Sequence, residues 1–323
     1  MQLHCHMATA SVVWVLLVCN FIEVTSAALI SGPCARCGIK HSLPTTDAAR
    51  HAALDLQSRM VESGRIDVDE LSQRSFGVSV SCGDDNENEN GFPNVGDVDL
   101  DPALAMERLY ERRGKMFGVL VCEVPAFESD SSPRTVILKA YAGKLGGQWN
   151  LPGWAPIVGQ VPESLPVFRR LSAEVTELFG RIDDINADAS NAGKGEEPAV
   201  VEEVKQLTKE RASLANLCLE EIRRHQIVTN FRGETAPLTA IFARGPTKLP
   251  GGVGDCAAPK LLAEAARLGL KPTGIAEIFV GATGGMSTTK GDGVFYDACQ
   301  QRCEHIAGFM LCGLHADEEG APK

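Results

Sequence analysis

The chain has 323 residues, 44% of them hydrophobic, enough for one large domain or two small ones around a sizeable core. Its formal net charge of -11 argues against a generic nucleic-acid binder, because phosphate binding rests on clustered Lys and Arg, and DNA is not an expected partner. Any RNA contact has to come from a local basic patch. The candidates are Arg223, Arg224 and His225, then Arg232, Arg244 and Lys248, on a stretch that reads equally as a solvated helix face followed by a loop.

Residues 12–22 form an apolar run of signal-peptide length, too short for a comfortable transmembrane span. Thr25-Ser26-Ala27 then supplies small residues suited to cleavage after Ala27. Residues 1–27 are therefore read as an entry signal for the secretory route, with no stable membrane span in the mature chain; a buried hydrophobic helix or a membrane anchor is the alternative. The final site is then outside the cell or in an organelle. Residues 28–46 hold no acidic side chain but carry Arg36, Lys40 and His41, a composition suited to transit into plastids reached through the endoplasmic reticulum. In that stretch Cys34-Ala35-Arg36-Cys37 has metal-knuckle or redox spacing. No partner pair lies nearby in sequence, so a disulfide or free thiols are expected. The eleven cysteines are odd in number, and Cys5 and Cys19 leave with a signal, so the other nine cannot all pair within one chain.

Residues 48–62 carry Ala, Leu and Met at helical spacing, whereas 83–101 is acidic, rich in Asn and Gly, and reads as a disordered linker. Residues 28–101 are thus expected to be transit and linker sequence with one helix, the folded domain to span 102–316, and 317–323 to be a disordered tail. A helix is expected over 102–113, with Asp101 as N-cap and Gly114 as stop. Strands at 115–124 and 134–142 flank a polar hairpin loop at 127–133. The loop 143–162 holds Trp149, Trp154 and Ile157 and reads as ordered, either lining a pocket or covering the sheet. Residues 163–225 are a helical insert, with helical periodicity over 167–185 and 200–225 around a polar stretch at 186–198, as in an antiparallel structural arm. A Gly- and Pro-rich loop at 246–255 precedes a helix at 257–268, a strand at 273–280, a flexible loop at 281–293 and a helix at 298–314. The order hairpin, helix, strand, helix places the domain in the α/β or α+β class.

Chemistry concentrates in two segments. Cys256 sits where a loop turns into a helix, and Cys299 and Cys303 sit at the start of the last predicted helix. A helix N-terminus favours thiolates, and three thiols are the ligand set of one class of zinc site. The arrangement resembles the zinc-dependent nucleoside and base deaminases, in which a Cys or His opens one helix, two Cys open the next, and a Glu two residues after the first ligand shuttles protons. Two departures stand out. The second pair is spaced C-x-x-x-C instead of C-x-x-C, and the shuttle position is Ala258. Glu264, Glu277 and Glu304 are substitutes only if the fold brings one of them to the metal, and Glu277, inside a strand, is the most interesting. Ordinary buried thiols or a disulfide are the other readings of the three cysteines. The run Gly284 to Lys290 does not match a phosphate loop, and the chain holds no G-x-S-x-G and no H-E-x-x-H.

Several strings resemble a region that precedes the catalytic domain in long RluA-type pseudouridine synthases. They are Gly114-Lys115-Met116-Phe117-Gly118-Val119-Leu120-Val121, Leu138 to Leu145, Asn230-Phe231-Arg232-Gly233-Glu234, Gly254 to Leu262, Ala276-Glu277, and Phe295 to Glu304. The most specific is Asp-Cys-Ala-Ala-Pro-Lys-Leu-Leu, and the likeness runs from about residue 114 to 314. The H-R-L-D motif with its following T-S-G is absent: Arg65-Ile66-Asp67 and Arg181-Ile182-Asp183 follow no His, and few residues remain after Leu314. The resemblance therefore implies an association with RNA modification and not pseudouridine formation by this chain.

The leading expectation is a non-catalytic accessory domain on a deaminase-like core, binding RNA or an RNA-modifying protein. Cys256, Cys299 and Cys303 would hold a structural Zn2+, and Trp149, Trp154, Arg223, Arg224 and Arg232 would form the contact surface. The alternatives are a zinc-dependent hydrolase of a base or nucleoside, with Glu277 or Glu304 as proton carrier, and a secreted disulfide-containing protein with no RNA role.

Overall fold

The structure is a computed structural model that describes residues 29–67, 101–111, 113–125, 134–192, 197–284 and 290–315. The expected signal segment 1–27, the loop 127–133, the tail 317–323 and all of the linker but Asp101 lie outside the described residues.

The chain opens with an antiparallel hairpin, β1 (Leu29–Pro33) and β2 (Lys40–Pro44). Helix α1 (Asp47–Ser63) follows. Thr46 accepts the Ala49 N–H at 3.3 Å to cap its start, and Gly64 at φ 66° ends it. Ala49, Ala53, Leu56 and Met60 form its buried stripe. The expected helix at 102–113 is broken into a 3-10 turn (Pro102–Leu104), opened by the Asp101 carboxylate, and the short α2 (Glu107–Glu111). Between them Ala105 pairs with Arg65, and that bridge interrupts the helix.

Strands β3 (Lys115–Val124) and β4 (Arg134–Tyr141) form the expected hairpin. The helical arm is α3 (Pro166–Asn191) against α4 (Pro198–His225), joined through Leu178, Ile182 and Leu207. A small hairpin, β5 (Ile227–Thr229) and β6 (Thr235–Pro237), and a single helical turn, α5 (Leu238–Ile241), lead to α6 (Ala257–Arg267). Strand β7 (Lys271–Val280), the two-residue β8 (Phe295–Tyr296) and α7 (Glu304–Met310) complete the chain.

The main sheet has the order β4-β3-β7-β8, with every neighbouring pair antiparallel, so the protein is of the α+β class. Period-two alternation sorts the sheet into two cores. Phe117, Val119 and Val121 of β3 and Ala276, Ile278 and Val280 of β7 face α1. Leu120, Cys122 and Ile275 face α6 and α7.

The boundary expected at residue 102 does not hold. Ile30, Cys34 and Leu43 of the first hairpin are buried in one core, and α1 with Ile66 in the other. The polar composition of 28–46 hid a strand pair whose alternate residues point inward. The hairpin seats on α7 through glycine. A Cβ on Gly32 would lie 2.1 Å from the Glu304 carbonyl oxygen, and one on Gly308 would lie 2.3 Å from the Pro33 carbonyl. The last helix is also shorter than expected, because residues 300–303 form turns before Glu304.

Trp154 settles the role of the 143–162 loop. It is 5% exposed, edge-on to Tyr141 at 5.4 Å and tilted against Phe117 at 5.8 Å, so the loop covers the sheet. Lys260 of α6 holds the other side of this region. Its fully buried ammonium donates to the Tyr141 and Gly143 carbonyls at 3.0 and 2.9 Å and lies 4.5 Å from the Tyr141 ring centre. Burial lowers its pKa to about 8, against the opposing pull of Asp255.

Two outcomes follow from this packing. Gly308→Ala forces backbone atoms apart and should cost roughly 1–3 kcal/mol; an unchanged melting temperature would show that β1 does not rest on α7. Lys260 binds its proton less tightly in the folded chain than at the ordinary 10.5, so the unfolded state holds more protons between pH 8 and 10.5. Its contribution to stability should therefore improve as pH rises through that window, and urea midpoints of Lys260→Met should lack this rise.

Candidate functional site

The region around Cys256 is set by a close approach of α6 to the sheet. Gly118 on β3 stands opposite Glu277 on β7. A Cβ on Gly118 would lie 2.8 Å from the Ala257 Cβ and 3.0 Å from Leu261, so only glycine lets the start of α6 come this near. The approach brings the Ala258 N–H to the Glu277 carboxylate, which accepts it at 3.2 Å. Thus Ala258 is met by a carboxylate arriving from the neighbouring strand.

Cys256 is the N-cap residue of α6, and Cys303 immediately precedes α7. The Cys303 amide donates to the Cys299 carbonyl at 2.9 Å, which winds residues 299–303 into a turn and offsets the unusual spacing. Interaction with Cys256 and Cys303 lowers the Cys299 pKa far below the ordinary thiol value, against the effect of burial and with help from the Arg302 and Gln301 amides. Interaction with Cys299 pushes Cys256 up to about 12, and Cys256, Cys299 and burial raise Cys303. Burial raises Glu277 to about 7, opposed by the Ala258 N–H and Lys290 and reinforced by Cys299. The cluster thus combines three cysteines that perturb one another's ionisation with a carboxyl group that burial pushes toward neutrality.

The space beside Glu277 is small. A cavity of about 10 Å³, room for a single water, is lined by Glu277, Ala258, Tyr296, and Ile30 and Thr45 of the N-terminal segment.

The other expected site residues lie elsewhere. Glu264 is paired in two hydrogen bonds of 2.7 Å with Arg267 at the far end of α6, and Glu304 opens α7. Trp154 is core. The Trp149 indole N–H donates to Glu163 at 2.8 Å, with Lys144 over its ring. Arg223 donates to the Leu249 carbonyl, and Arg224 pairs with Glu221 at 3.0 Å. Arg224 and Arg232 remain exposed.

A second cluster was not legible as a unit. Cys34 and Cys37, in the β1–β2 turn, meet His41 of β2 and Cys312, just beyond α7, and these residues can hold a metal ion. All four donor atoms lie within 4.8 Å of one another, and among the described residues no other group is drawn together so tightly, the Cys256 trio included. The thiols of Cys34 and Cys37 are free, as one of the two sequence readings had it, but they are not without partners. His41 is four residues on and Cys312 is 275 residues from Cys37, so only half of the partner set was visible in sequence. All eight described cysteines are free thiols.

No protein-family model, no curated protein and no solved structure matches this chain. Among the described residues no helix is long and apolar enough to cross a membrane.

Proposed function

We propose that this chain is a zinc-stabilised, non-catalytic accessory domain of RNA modification, of the kind that precedes the catalytic domain in long RluA-type pseudouridine synthases. The order of β3, β4, α6, β7 and α7, with Cys256 opening one helix and Cys299 and Cys303 leading into the next, supports a deaminase-like core. One observation carries the non-catalytic reading: the cavity at Glu277 is about 10 Å³, whereas ligand pockets measure about 300–1,000 Å³. Cys256, Cys299 and Cys303 fit Zn2+ in donor type. Bound there, the ion would keep the thiols deprotonated and add folding free energy. With Trp154 buried, Arg223 bonded to a backbone carbonyl and a net charge of -11, a protein partner is favoured over RNA. Co-migration of the chain with an RluA-type synthase would support this role, and failure to co-migrate with either synthase or RNA would count against it.

The bond from Ala258 N–H to Glu277 favours a second reading, a zinc-dependent hydrolase of a base or nucleoside. Zinc would supply acidification of a water. Glu277, with a pKa near 7, would accept and return the proton at neutral pH. A reaction of this kind requires the N-terminal segment to move off the cavity.

Cys299→Ser should release zinc and lower the melting temperature; unchanged metal content and melting behaviour would remove the structural zinc from this site. Ammonia release from cytidine, adenosine or RNA, abolished in Glu277→Gln with folding intact, would establish the hydrolase in place of the accessory role.

A further inference from the structure

We propose that Cys34, Cys37, His41 and Cys312 form a closed, four-ligand zinc site that fastens the β1–β2 hairpin to the end of α7 and so keeps the Glu277 cavity covered. This site goes beyond the Cys256 trio and does not depend on metal there.

The donor set is three sulfurs and one imidazole, a combination that suits zinc over oxygen-preferring cations. The geometry is near tetrahedral spacing. With zinc–sulfur bonds of about 2.3 Å, sulfur–sulfur edges of a tetrahedron are roughly 3.8 Å, and the Cys37 and Cys312 sulfurs are 3.8 Å apart. The Cys37 sulfur and His41 Nε2 are 3.1 Å apart, an edge that opens by about half an ångström on binding. A disulfide needs about 2.0 Å between sulfurs.

The surroundings suit thiolates. The Arg36 N–H points at the Cys34 sulfur at 3.4 Å, and Gly38, at φ 72°, turns the chain so that Cys34 and Cys37 face the same way. Zinc with three thiolates and a neutral imidazole carries a net charge of about -1. Arg232, brought onto Cys312 by the chain turn at Gly313, sits where it neutralises that charge.

The position gives the site its effect. The hairpin carries Ile30, which lines the cavity beside Glu277, and its glycine contact with α7 has no side chains of its own to grip. A metal bridging the turn to Cys312 ties together segments far apart in sequence, and the loop-closure cost of holding the hairpin down is met by coordinate bonds.

The test is a cobalt titration of the full chain under reducing conditions, in a Cys256→Ser background so that the first site is disabled. A thiolate-to-cobalt charge-transfer band, displaced by one equivalent of Zn2+, is expected. Cys37→Ser should abolish it, and Cys37→His, which restores a ligand on this exposed turn, should retain metal. In the parent chain Cys37→Ser should remove one equivalent of zinc and speed protease cleavage within residues 29–44 about tenfold or more. No charge-transfer band, unchanged metal content in Cys37→Ser, or a disulfide among Cys34, Cys37 and Cys312 would overturn the site. Loss of zinc with unchanged cleavage would overturn its fastening role.

Discussion

The close contact between β3 and the start of α6 sets the rest of the structure. Gly118 has no side chain, so Ala257 and Leu261 rest directly on the strand. That distance places the Ala258 N–H on Glu277 and delivers Cys256 to the thiols ahead of α7. Lys260, one turn further along α6, anchors the same helix to the carbonyls at the end of β4. Burying an ammonium in this way is unfavourable by itself and is tolerated because two carbonyls and an aromatic face receive it. The first turns of this helix are thereby fixed at two points against the sheet.

Two sulfur clusters flank α7, one before it and one after. The first combines thiols with a carboxyl group held near neutrality by burial, a charge arrangement typical of functional sites. The second, with an imidazole and an arginine beside it, is arranged as a closed ligand set. The N-terminal hairpin connects them: its strand covers the first and its turn supplies the second. Whether the first cluster can meet a substrate thus depends on what holds the hairpin. The narrowness of the cavity is in this sense a property of the hairpin, and the hydrolase reading requires the hairpin to lift.

The basic and aromatic residues expected to form a contact surface show how composition misleads. Trp154 lies in a loop rich in Gly and Pro, yet its ring fills the space between Phe117 and Tyr141. Arg223 is spent on a backbone carbonyl. A charged side chain in a loop is as able to satisfy an internal acceptor as to greet a ligand, and local sequence carries no information about which it does.

The sequence by itself determined the elements whose signals are local. The β3–β4 hairpin, the α3–α4 arm, α1, α6 with its Gly269 stop, and β7 follow from periodicity, caps and turn residues within a few positions. Tertiary structure alone decided three matters. It placed the first hairpin in the core, since strands with alternating polar residues look like transit sequence until a partner helix is known. It chose Glu277 over Glu264 and Glu304, since only the pairing of Gly118 with Glu277 puts a carboxylate at Ala258. It joined Cys312 to Cys34, Cys37 and His41, since a ligand contributed from the opposite end of the chain leaves no spacing to read.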